Sequence, residues 1–368
     1  MGEDTDVLVI GGGPAGLAAA IAARMKGLDV TVADGAKPPI DKACGEGLMP
    51  STMAALRELG VAICPGDGQV FRGIRFLDAV TSAETSFSGA SGVGVRRTVL
   101  HQKMVKRAQE CGITLLWDTP VAGLSNDGAI LGGTVVKARW IIGADGIHSR
   151  MRRWIGLGAN ARQEVRFARR RHYRVKAWTD CMEIHWGEKA QAYVTPLSND
   201  EICVALISRD PRMPLEVAWR EFPKLANYLR HAGPSSTERG AVTVTRRLRQ
   251  VYRENFALAG DASGSVDAVT GEGLCLSFRQ AIALAHSLEE GELQSYQHAH
   301  RRLARRPNTV GRLLLLLDRY PSLRRRALRG LAADPELFAR LLTAHLGEAS
   351  AKFLAATSLR LGWQFLSA

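Results

Sequence analysis

A glycine-rich turn between a short apolar strand and a helix constrains the fold of this chain more than any other feature. Residues Val7 to Ile10 predict a buried strand, and Leu17 to Lys26 predict an alanine-rich helix. The connecting GGGPAG sequence consists of Gly11, Gly12, Gly13, Pro14, Ala15 and Gly16. In such a G-x-G-x-x-G pattern the first glycine permits a tight turn, the second admits a pyrophosphate, and the third lets helix and strand pack closely. The turn therefore predicts a βαβ unit that binds a dinucleotide.

The acid that this motif requires follows at the expected distance. A second predicted strand, Val30 to Ala33, leads into Asp34 and Gly35. Asp34 stands 18 residues after Gly16, where a carboxylate accepts hydrogen bonds from a ribose 2′-hydroxyl. The N–H groups at the start of the helix would face the phosphates. This motif alone leaves the choice between a nicotinamide and a flavin dinucleotide open.

Two later segments repeat the pattern of a hydrophobic strand that ends at an aspartate. Trp140 to Ile142 leads into Asp145, and Phe256 to Ala259 leads into Gly260 and Asp261. The intervening block 162–250 is rich in predicted strands. We therefore expect one nucleotide-binding sheet that late segments complete, interrupted by a β-rich insertion.

Over residues 5–290 these three ordered motifs resemble the FAD-dependent oxidoreductases of the p-hydroxybenzoate hydroxylase structural class, and most of all the geranylgeranyl reductase family. The resemblance implies an α/β fold: a Rossmann-like FAD-binding domain (GR2-type flavoprotein) with an inserted β-sheet substrate domain and a helical C-terminal region. The implied FAD-binding segments are 1–73, 97–161 and 251–290. Strands in 74–96 would join the substrate domain at 162–250, and 291–368 would form a basic helical region.

The resemblance also assigns cofactor contacts. It implies that Asp261 binds the ribityl chain, and that the helix start containing Gly271, Gly273 and Leu274 passes the isoalloxazine. Glycine N–H groups there would stabilise negative charge on a reduced flavin. Further implied contacts are Arg97, Val121 beside the adenine, and Asp145 with Gly146 in the DG motif.

A CGEG segment carries the candidates for catalysis. Cys44, Gly45 and Glu46 match a segment that runs along the flavin in relatives of the geranylgeranyl reductases. Cys44 is a candidate for a position near the flavin ring, and Glu46 for a proton donor. A buried structural cysteine and a surface glutamate remain the alternatives.

The substrate pocket is predicted from a single segment of the β-rich block. Tyr193, Thr195 and Pro196 resemble the strand that faces the flavin in this class. The aromatic residues that surround this proline in isoprenoid reductases are missing, since threonine precedes Pro196.

The favoured function is a monooxygenase that hydroxylates a lipophilic aromatic or polyketide-like molecule through a flavin C4a-hydroperoxide. The DG motif and the Thr195-Pro196 pair favour it. The CGEG segment favours the alternative, a C=C reductase of the geranylgeranyl reductase type. A third hypothesis is a flavoprotein that binds RNA or an acidic partner through its basic region, and a fourth is a degenerate fold without FAD.

The sequence contains no second G-x-G-x-x-G pattern on a βαβ unit, so electrons would come from transient NAD(P)H or a reduced electron-carrier protein. Six scattered cysteines without a CxxC pair argue against a metal site and against disulfides, and favour a cytoplasmic location. No apolar run approaches the roughly 20 residues that a spanning helix requires.

Positive charge is concentrated near the C-terminus. Residues 301–340 hold eleven arginines against Asp318, Asp334 and Glu336, which gives 11 − 3 = +8 of the chain's net +13. Five consecutive leucines, Leu313 to Leu317, lie in the same region. Three interpretations remain open: a helical cap with a solvated basic face, a surface that meets anionic lipid at the inner membrane face, and contact with nucleic acid or an acidic carrier protein. Nucleic acid is not expected, because no RNA-binding signature is present.

Overall fold

The structure, a computed structural model, describes residues 4–125, 128–158 and 165–347. The helices are α1 Pro14–Met25, α2 Pro50–Glu58, α3 Arg97–Glu110, α4 Arg150–Trp154, α5 Leu215–Ala218, α6 Pro223–Leu229, α7 Gly273–Glu290, α8 Gln294–Arg319, α9 Pro321–Ala333 and α10 Pro335–Leu346. The strands are β1 Thr5–Ile10, β2 Val30–Ala33, β3 Gly47–Leu48, β4 Gln69–Phe71, β5 Gly73–Leu77, β6 Ser82–Ser86, β7 Gly92–Gly94, β8 Thr114–Leu116, β9 Val121–Leu124, β10 Gly128–Leu131, β11 Thr134–Gly143, β12 Val165–Arg174, β13 Cys181–Trp186, β14 Ala190–Pro196, β15 Glu201–Ser208, β16 Gly233–Pro234, β17 Arg239–Val244, β18 Tyr252–Arg253 and β19 Phe256–Leu258.

The first sheet brings the three aspartate motifs to one edge. Its strands run in the order β18-β19-β11-β1-β2-β8, and β1 pairs in parallel with both β2 and β11. Parallel strands end at a common edge, so Gly11, Asp34, Asp145 and Gly260 follow neighbouring strand ends there. The late segment β19 joins this sheet beside β11, as the recurring motifs predict.

The second sheet is built from the β-rich block and from β5 and β6. Its main order is β16-β12-β15-β14-β13-β5-β6, with β17 also paired to β12. Alternate side chains of β14 and β15 enter different cores: Tyr193 and Ala205 pack on one face, and Val194 and Val204 pack on the other with α5 and α6. The strands are therefore buried on both faces.

Helices α8, α9 and α10 cover the first of these faces. Phe338 of α10 lies against Phe76 of β5, with ring centroids 5.0 Å apart. Asp318 of α8 is buried and accepts a 2.8 Å hydrogen bond from the Gln191 side chain of β14. Arg209 pairs with the same carboxylate at 2.6 Å. The C-terminal helices are thus fixed to the second sheet by apolar packing and by a buried polar anchor.

Within the described ranges, no helix has both the length and the apolar character needed to cross a bilayer.

A buried histidine in α8 makes stability depend on pH. Burial lowers the pKa of His300 from 6.5 to about 4, and its Nε2 lies 2.9 Å from the Ser263 hydroxyl. The folded pKa lies below the unfolded one, so the stability is fully present above pH 6.5 and is lost as the pH falls towards 4. Replacing His300 with glutamine should reduce the loss of unfolding free energy between pH 7 and pH 5 by about 2 kcal/mol.

Urea denaturation at the two pH values measures this difference. His298→Gln is the matched control, because His298 is exposed on the same helix. An unchanged pH dependence in His300→Gln would show that His300 is not the group responsible.

Candidate active site

The glycine turn at the sheet edge is packed as tightly as the motif requires. A Cβ on Gly16 would lie 1.8 Å from the Gly11 carbonyl oxygen, and a Cβ on Gly11 would lie 2.5 Å from the Ala144 carbonyl oxygen. Gly11 also has a φ of +114°, which L side chains rarely adopt. By contrast, a Cβ on Gly13 would meet nothing within 4 Å. The turn is therefore closed towards the sheet and open where a phosphate would approach.

Asp34 and His101 hold this turn in place. Asp34 accepts hydrogen bonds from the backbone N–H groups of Gly12, at 2.6 Å, and Ala36, at 2.7 Å. His101 of α3 is fully buried, and its Nε2 donates to the Gly12 carbonyl oxygen at 2.8 Å. Burial lowers the pKa of His101, which keeps the ring neutral. No sequence motif identified His101, because α3 meets the turn only in the folded chain.

A groove of about 560 Å³ runs from this turn between the two sheets. Most of the predicted cofactor residues line it: Gly11, Gly13, Pro14, Ala15, Asp34, Gly35, Cys44, Gly45, Arg97, Val121, Asp145, Asp261, Gly271, Gly273 and Leu274. Two predicted cofactor residues do not line the groove, since Gly16 packs on Gly11 and a Cβ on Gly260 would meet Ala15 at 2.5 Å. These two glycines allow the backbone of the turn to pack closely against its neighbours.

Unpartnered polar atoms in the groove fit a dinucleotide. Arg97 Nε and Asp145 Oδ1 are buried without a hydrogen-bond partner among the described residues. Lys42, which the sequence motifs did not identify, also lines the groove, and its Nζ lies 3.2 Å from Asp261 Oδ2. A ligand with phosphates and hydroxyls would supply partners for such groups, because buried polar atoms are rarely left unpaired.

Glu46, the candidate proton donor, lies in a network of buried contacts beside the groove. Glu46 is 2% exposed, and its carboxylate accepts a 2.9 Å hydrogen bond from the Arg97 backbone N–H. Its second oxygen lies 2.6 Å from His172 Nε2, and Arg170 Nε is 3.9 Å away. These contacts fix the segment that carries Cys44 beside the groove. Glu46 also lines the groove, and its predicted role as a proton donor stays a prediction.

Glu46, His172 and Cys203 lie close enough together to hold a metal ion. Burial, however, raises the pKa of the Cys203 thiol well above its usual value, so the sulfur stays protonated. The neighbouring Arg170 guanidinium already supplies positive charge there. Within the cluster His172 bonds to Glu46 at 2.6 Å, and the Cys203 thiol lies 3.6 Å from the Cys44 carbonyl oxygen, so these side chains support the Cys44 segment.

Two of the three predicted substrate residues, Thr195 and Pro196, line neither the groove nor a second cavity that lies beside it. Thr195 is fully buried and donates a 2.7 Å hydrogen bond to the Gly45 carbonyl oxygen. Tyr193 and Thr195 lie on the same face of β14. Thr195 is shielded from both spaces because the segment that carries Cys44 covers it. Tyr193, the third predicted residue, lines both spaces.

A second, apolar cavity of about 300 Å³ opens beside the groove under α8, α9 and α10. It shares Met182, Tyr193 and Gly271 with the groove, so the two spaces meet at the predicted flavin-facing segment. Most of its other lining residues are aliphatic or aromatic, among them Leu314, Leu317, Leu331, Phe338, Leu341 and Leu342. Sequence reasoning missed this cavity, although the leucine run of α8 was its one local signal.

A histidine and a glutamate lie where the cavity meets the groove. His345 lines the cavity, and its Nε2 donates to the Thr270 carbonyl oxygen at 3.0 Å. His345 Nδ1 and Glu272 Oε1 are buried, and neither has a hydrogen-bond partner among the described residues. Burial raises the pKa of Glu272, and the neighbouring His345, 3.9 Å away, opposes that shift. The arrangement can accept or donate a proton at the border of the two spaces.

The site therefore consists of a dinucleotide groove between the two sheets and an apolar cavity beside it, as an oxidoreductase with a dinucleotide cofactor requires. The family model described as FAD binding domain matches residues 4–304. The chain belongs to this FAD-binding family, and within it to the group that includes the geranylgeranyl reductases.

Curated relatives include both reductases and an oxygenase. The chain is 29% identical to a menaquinone reductase of Mycobacterium tuberculosis over 79% of this chain and 78% of that protein. It is 30% identical to digeranylgeranylglycerophospholipid reductase 1 of Methanopyrus kandleri over 73% of this chain and 76% of that protein. It is 26% identical to 6-methylpretetramide 4-monooxygenase of Streptomyces rimosus over 79% of this chain and 76% of that protein.

Solved structures share the fold at lower identity. A flavoprotein/dehydrogenase from Cytophaga hutchinsonii superposes with a TM-score of 0.80 at 20% identity, over 93% of this chain and 92% of that one. A geranylgeranyl bacteriochlorophyll reductase-like protein from Thermoplasma acidophilum has a TM-score of 0.73 at 19% identity, over 96% and 95%. The predicted FAD-binding fold with a helical C-terminal region is confirmed.

Proposed function

We propose that this flavoprotein hydroxylates the ring of a phenol that carries a lipid tail. The single observation that supports this choice is His345, a cavity-lining residue whose buried Nδ1 has no hydrogen-bond partner in the described part of the chain. FAD, when bound and reduced, supplies the electrons that activate oxygen. The protein supplies the apolar cavity, the orientation of the ring, and the group that receives the phenolic proton.

His345 suits a substrate with a hydroxyl group. Because a carbonyl oxygen accepts from Nε2, the proton of the neutral imidazole is on that nitrogen, and Nδ1 is an acceptor. A phenolic O–H would donate to Nδ1 and would transfer its proton there as the ring is attacked. An isoprenoid double bond has no hydrogen to donate, so it would leave this buried acceptor unpaired.

Glu272 complements the histidine. Its buried carboxyl lies 3.9 Å from His345 Nε2, so an ionised Glu272 would stabilise an imidazolium formed by proton transfer. The pair would then hold the phenolic proton at the end of the cavity that meets the groove.

The rest of the cavity suits an aliphatic tail. Its polar lining residues lie at two ends, with His345, Thr270 and Tyr193 towards the groove and Arg326 at the exposed side. Leucines and phenylalanines line the space between. A lipid-tailed phenol matches this division, with its ring at the flavin end and its tail among the leucines.

Reduction of a C=C bond is the second candidate. It is favoured by the two relatives named as reductases, which are 29% and 30% identical to this chain. In that reaction bound FAD would supply the hydride for one carbon, and His345 would donate the proton to the other.

We also propose that FAD is reduced either by NAD(P)H that binds transiently or by a reduced carrier protein. The groove's G-x-G-x-x-G turn is the only such βαβ motif in the sequence, and we assign it to FAD. Anaerobic mixing with NADH, NADPH or reduced ferredoxin would identify the donor, because flavin absorbance is lost only with a competent one.

The reaction type is tested by mixing the anaerobically reduced protein with oxygenated buffer in a stopped-flow spectrometer. The ligands are a long-tailed resorcinol and its dimethyl ether, which has the same tail but no O–H donor. We expect a spectral transient before FAD recovers, and a hydroxylated product, with the resorcinol alone. Reoxidation without a transient, together with anaerobic reduction of a polyprenyl substrate, would favour the second candidate.

A further inference from the structure

The outward face of α8 combines arginines with exposed apolar side chains. With about 100° of rotation per residue, Arg312, Leu313, Leu316 and Arg319 lie within an arc of about 120°, and Tyr320 follows directly as the C-cap. Leu313 is 55% exposed, Leu316 is 45% exposed and Tyr320 is 50% exposed. Leucines this exposed lose hydrophobic free energy in water, so this face suits a less polar surrounding.

Positive charge surrounds these leucines. The exposed arginines of α8 and α9 are Arg301, Arg302, Arg305, Arg312, Arg319, Arg325, Arg326 and Arg329. The acidic residues of the region are engaged elsewhere. Asp318 is buried in the anchor to the second sheet, Asp334 caps α10, and Glu336 pairs with Arg340. The face is therefore strongly cationic.

The same face borders the apolar cavity. Leu313 and Leu316 line the cavity and are also exposed, and Arg326 of α9 shares both properties. Side chains that line a cavity and also contact solvent mark its mouth. The cavity thus opens to the outside between α8 and α9, where leucines and arginines occur together.

We propose that this face of α8 and α9 docks on the surface of an anionic lipid bilayer, with the mouth of the cavity against the acyl chains. Leucines that enter the interface and arginines that contact anionic headgroups are the two contributions that hold an amphipathic surface on a membrane. A second copy is a poorer partner, because a two-fold contact would bring two identical cationic faces together. This inference rests on the proposed function in one respect, namely that the substrate carries a lipid tail that enters through the mouth of the cavity.

Sedimentation with vesicles tests docking without substrate, oxygen or electron donor. The full-length flavoprotein is mixed with phosphatidylcholine vesicles, either pure or with one quarter phosphatidylglycerol. We expect binding to the anionic vesicles only, and release as NaCl rises from 0.1 to 0.5 M, because salt screens the arginines. Failure of the hydroxylation assay would leave this result unaffected, so the two proposals fail separately.

Two double variants separate the contributions. Arg312→Gln/Arg319→Gln should weaken binding about 30-fold, from about fivefold per arginine. Leu313→Gln/Leu316→Gln should weaken it about 10-fold or more. The matched control is Arg153→Gln/Val135→Gln, which changes an exposed arginine and an exposed valine on α4 and β11 and should bind like the wild type.

Equal binding to neutral and anionic vesicles, or binding to neither, would overturn the proposal. The proposal would also be overturned if the control variant weakened vesicle binding as much as the α8 variants do. Binding would then not depend on where on the surface the charge lies. A salt-sensitive RNA gel shift that the leucine variant leaves unchanged, without vesicle binding, would assign the surface to nucleic acid instead.

Discussion

Gly16→Ala should yield a protein that does not retain FAD. The added Cβ would lie 1.8 Å from the Gly11 carbonyl oxygen, so the turn and the start of α1 must move apart. Overpacking of this kind costs about 1–3 kcal/mol and displaces the N–H groups that face the phosphates. The measurement is the ratio of flavin absorbance to protein absorbance after purification and after incubation with added FAD.

Gly233→Ala is the control, because a Cβ at that exposed position meets nothing within 4 Å. It should carry as much FAD as the wild type. Far-UV circular dichroism of Gly16→Ala distinguishes a local loss of cofactor from a failure to fold. Full FAD occupancy in folded Gly16→Ala would contradict the assignment of this turn to the dinucleotide.

His345→Leu should lower the rate of phenol hydroxylation by about 10²–10⁴-fold while FAD content stays at the wild-type level. Leucine preserves an apolar lining but removes the acceptor that receives the phenolic proton. The pH–rate profile is the diagnostic measurement. The wild type and the variant should differ in the pH dependence of the hydroxylation rate, because only the wild type has the imidazole acceptor.

His298→Gln serves as the control, because His298 is exposed on α8 and does not line the cavity. A conservative variant, His345→Gln, retains a polar side chain but has no comparable base. Relative to His345→Leu, it should bind the phenol more tightly but hydroxylate it no faster. An unchanged pH profile in His345→Leu would exclude His345 as the proton acceptor.

The nucleotide groove could be predicted from the sequence because its chemistry is local. The spacing of Gly11, Gly13 and Gly16 predicts the geometry of a tight turn, and Asp34 follows the next strand of the same βαβ unit. Lys42 and His101 escaped prediction because their contacts, with Asp261 and with the Gly12 carbonyl oxygen, form only in the folded chain. Their sequence surroundings give no sign of those partners.

The substrate side was harder to predict because it is assembled from distant segments. The cavity forms where α8–α10 pack on the face of the second sheet that contains Tyr193. Thr195 shares that strand face, but the Cys44 segment covers it, which a strand pattern alone cannot reveal. His345 lies 75 residues after Thr270, its hydrogen-bond partner, so nothing in local sequence connects it with the flavin-facing turn.

Glu46 illustrates a different limit. Its residue type and its position in the CGEG segment are compatible with proton donation, but its burial against His172 and Arg170 makes it part of a fixed network. Residue type indicates the available chemistry, and the partners of the side chain decide whether that chemistry is free.

Isotope labelling measures the proposed reaction most directly. The flavoprotein, reduced under argon, is mixed with ¹⁸O₂ and a long-tailed resorcinol, and the product is analysed by mass spectrometry. Hydroxylation predicts a product that contains one ¹⁸O atom in a new ring hydroxyl, with the second oxygen atom released as water. A product that instead gains two hydrogens without ¹⁸O, formed equally well under argon, would contradict hydroxylation and identify a reductase.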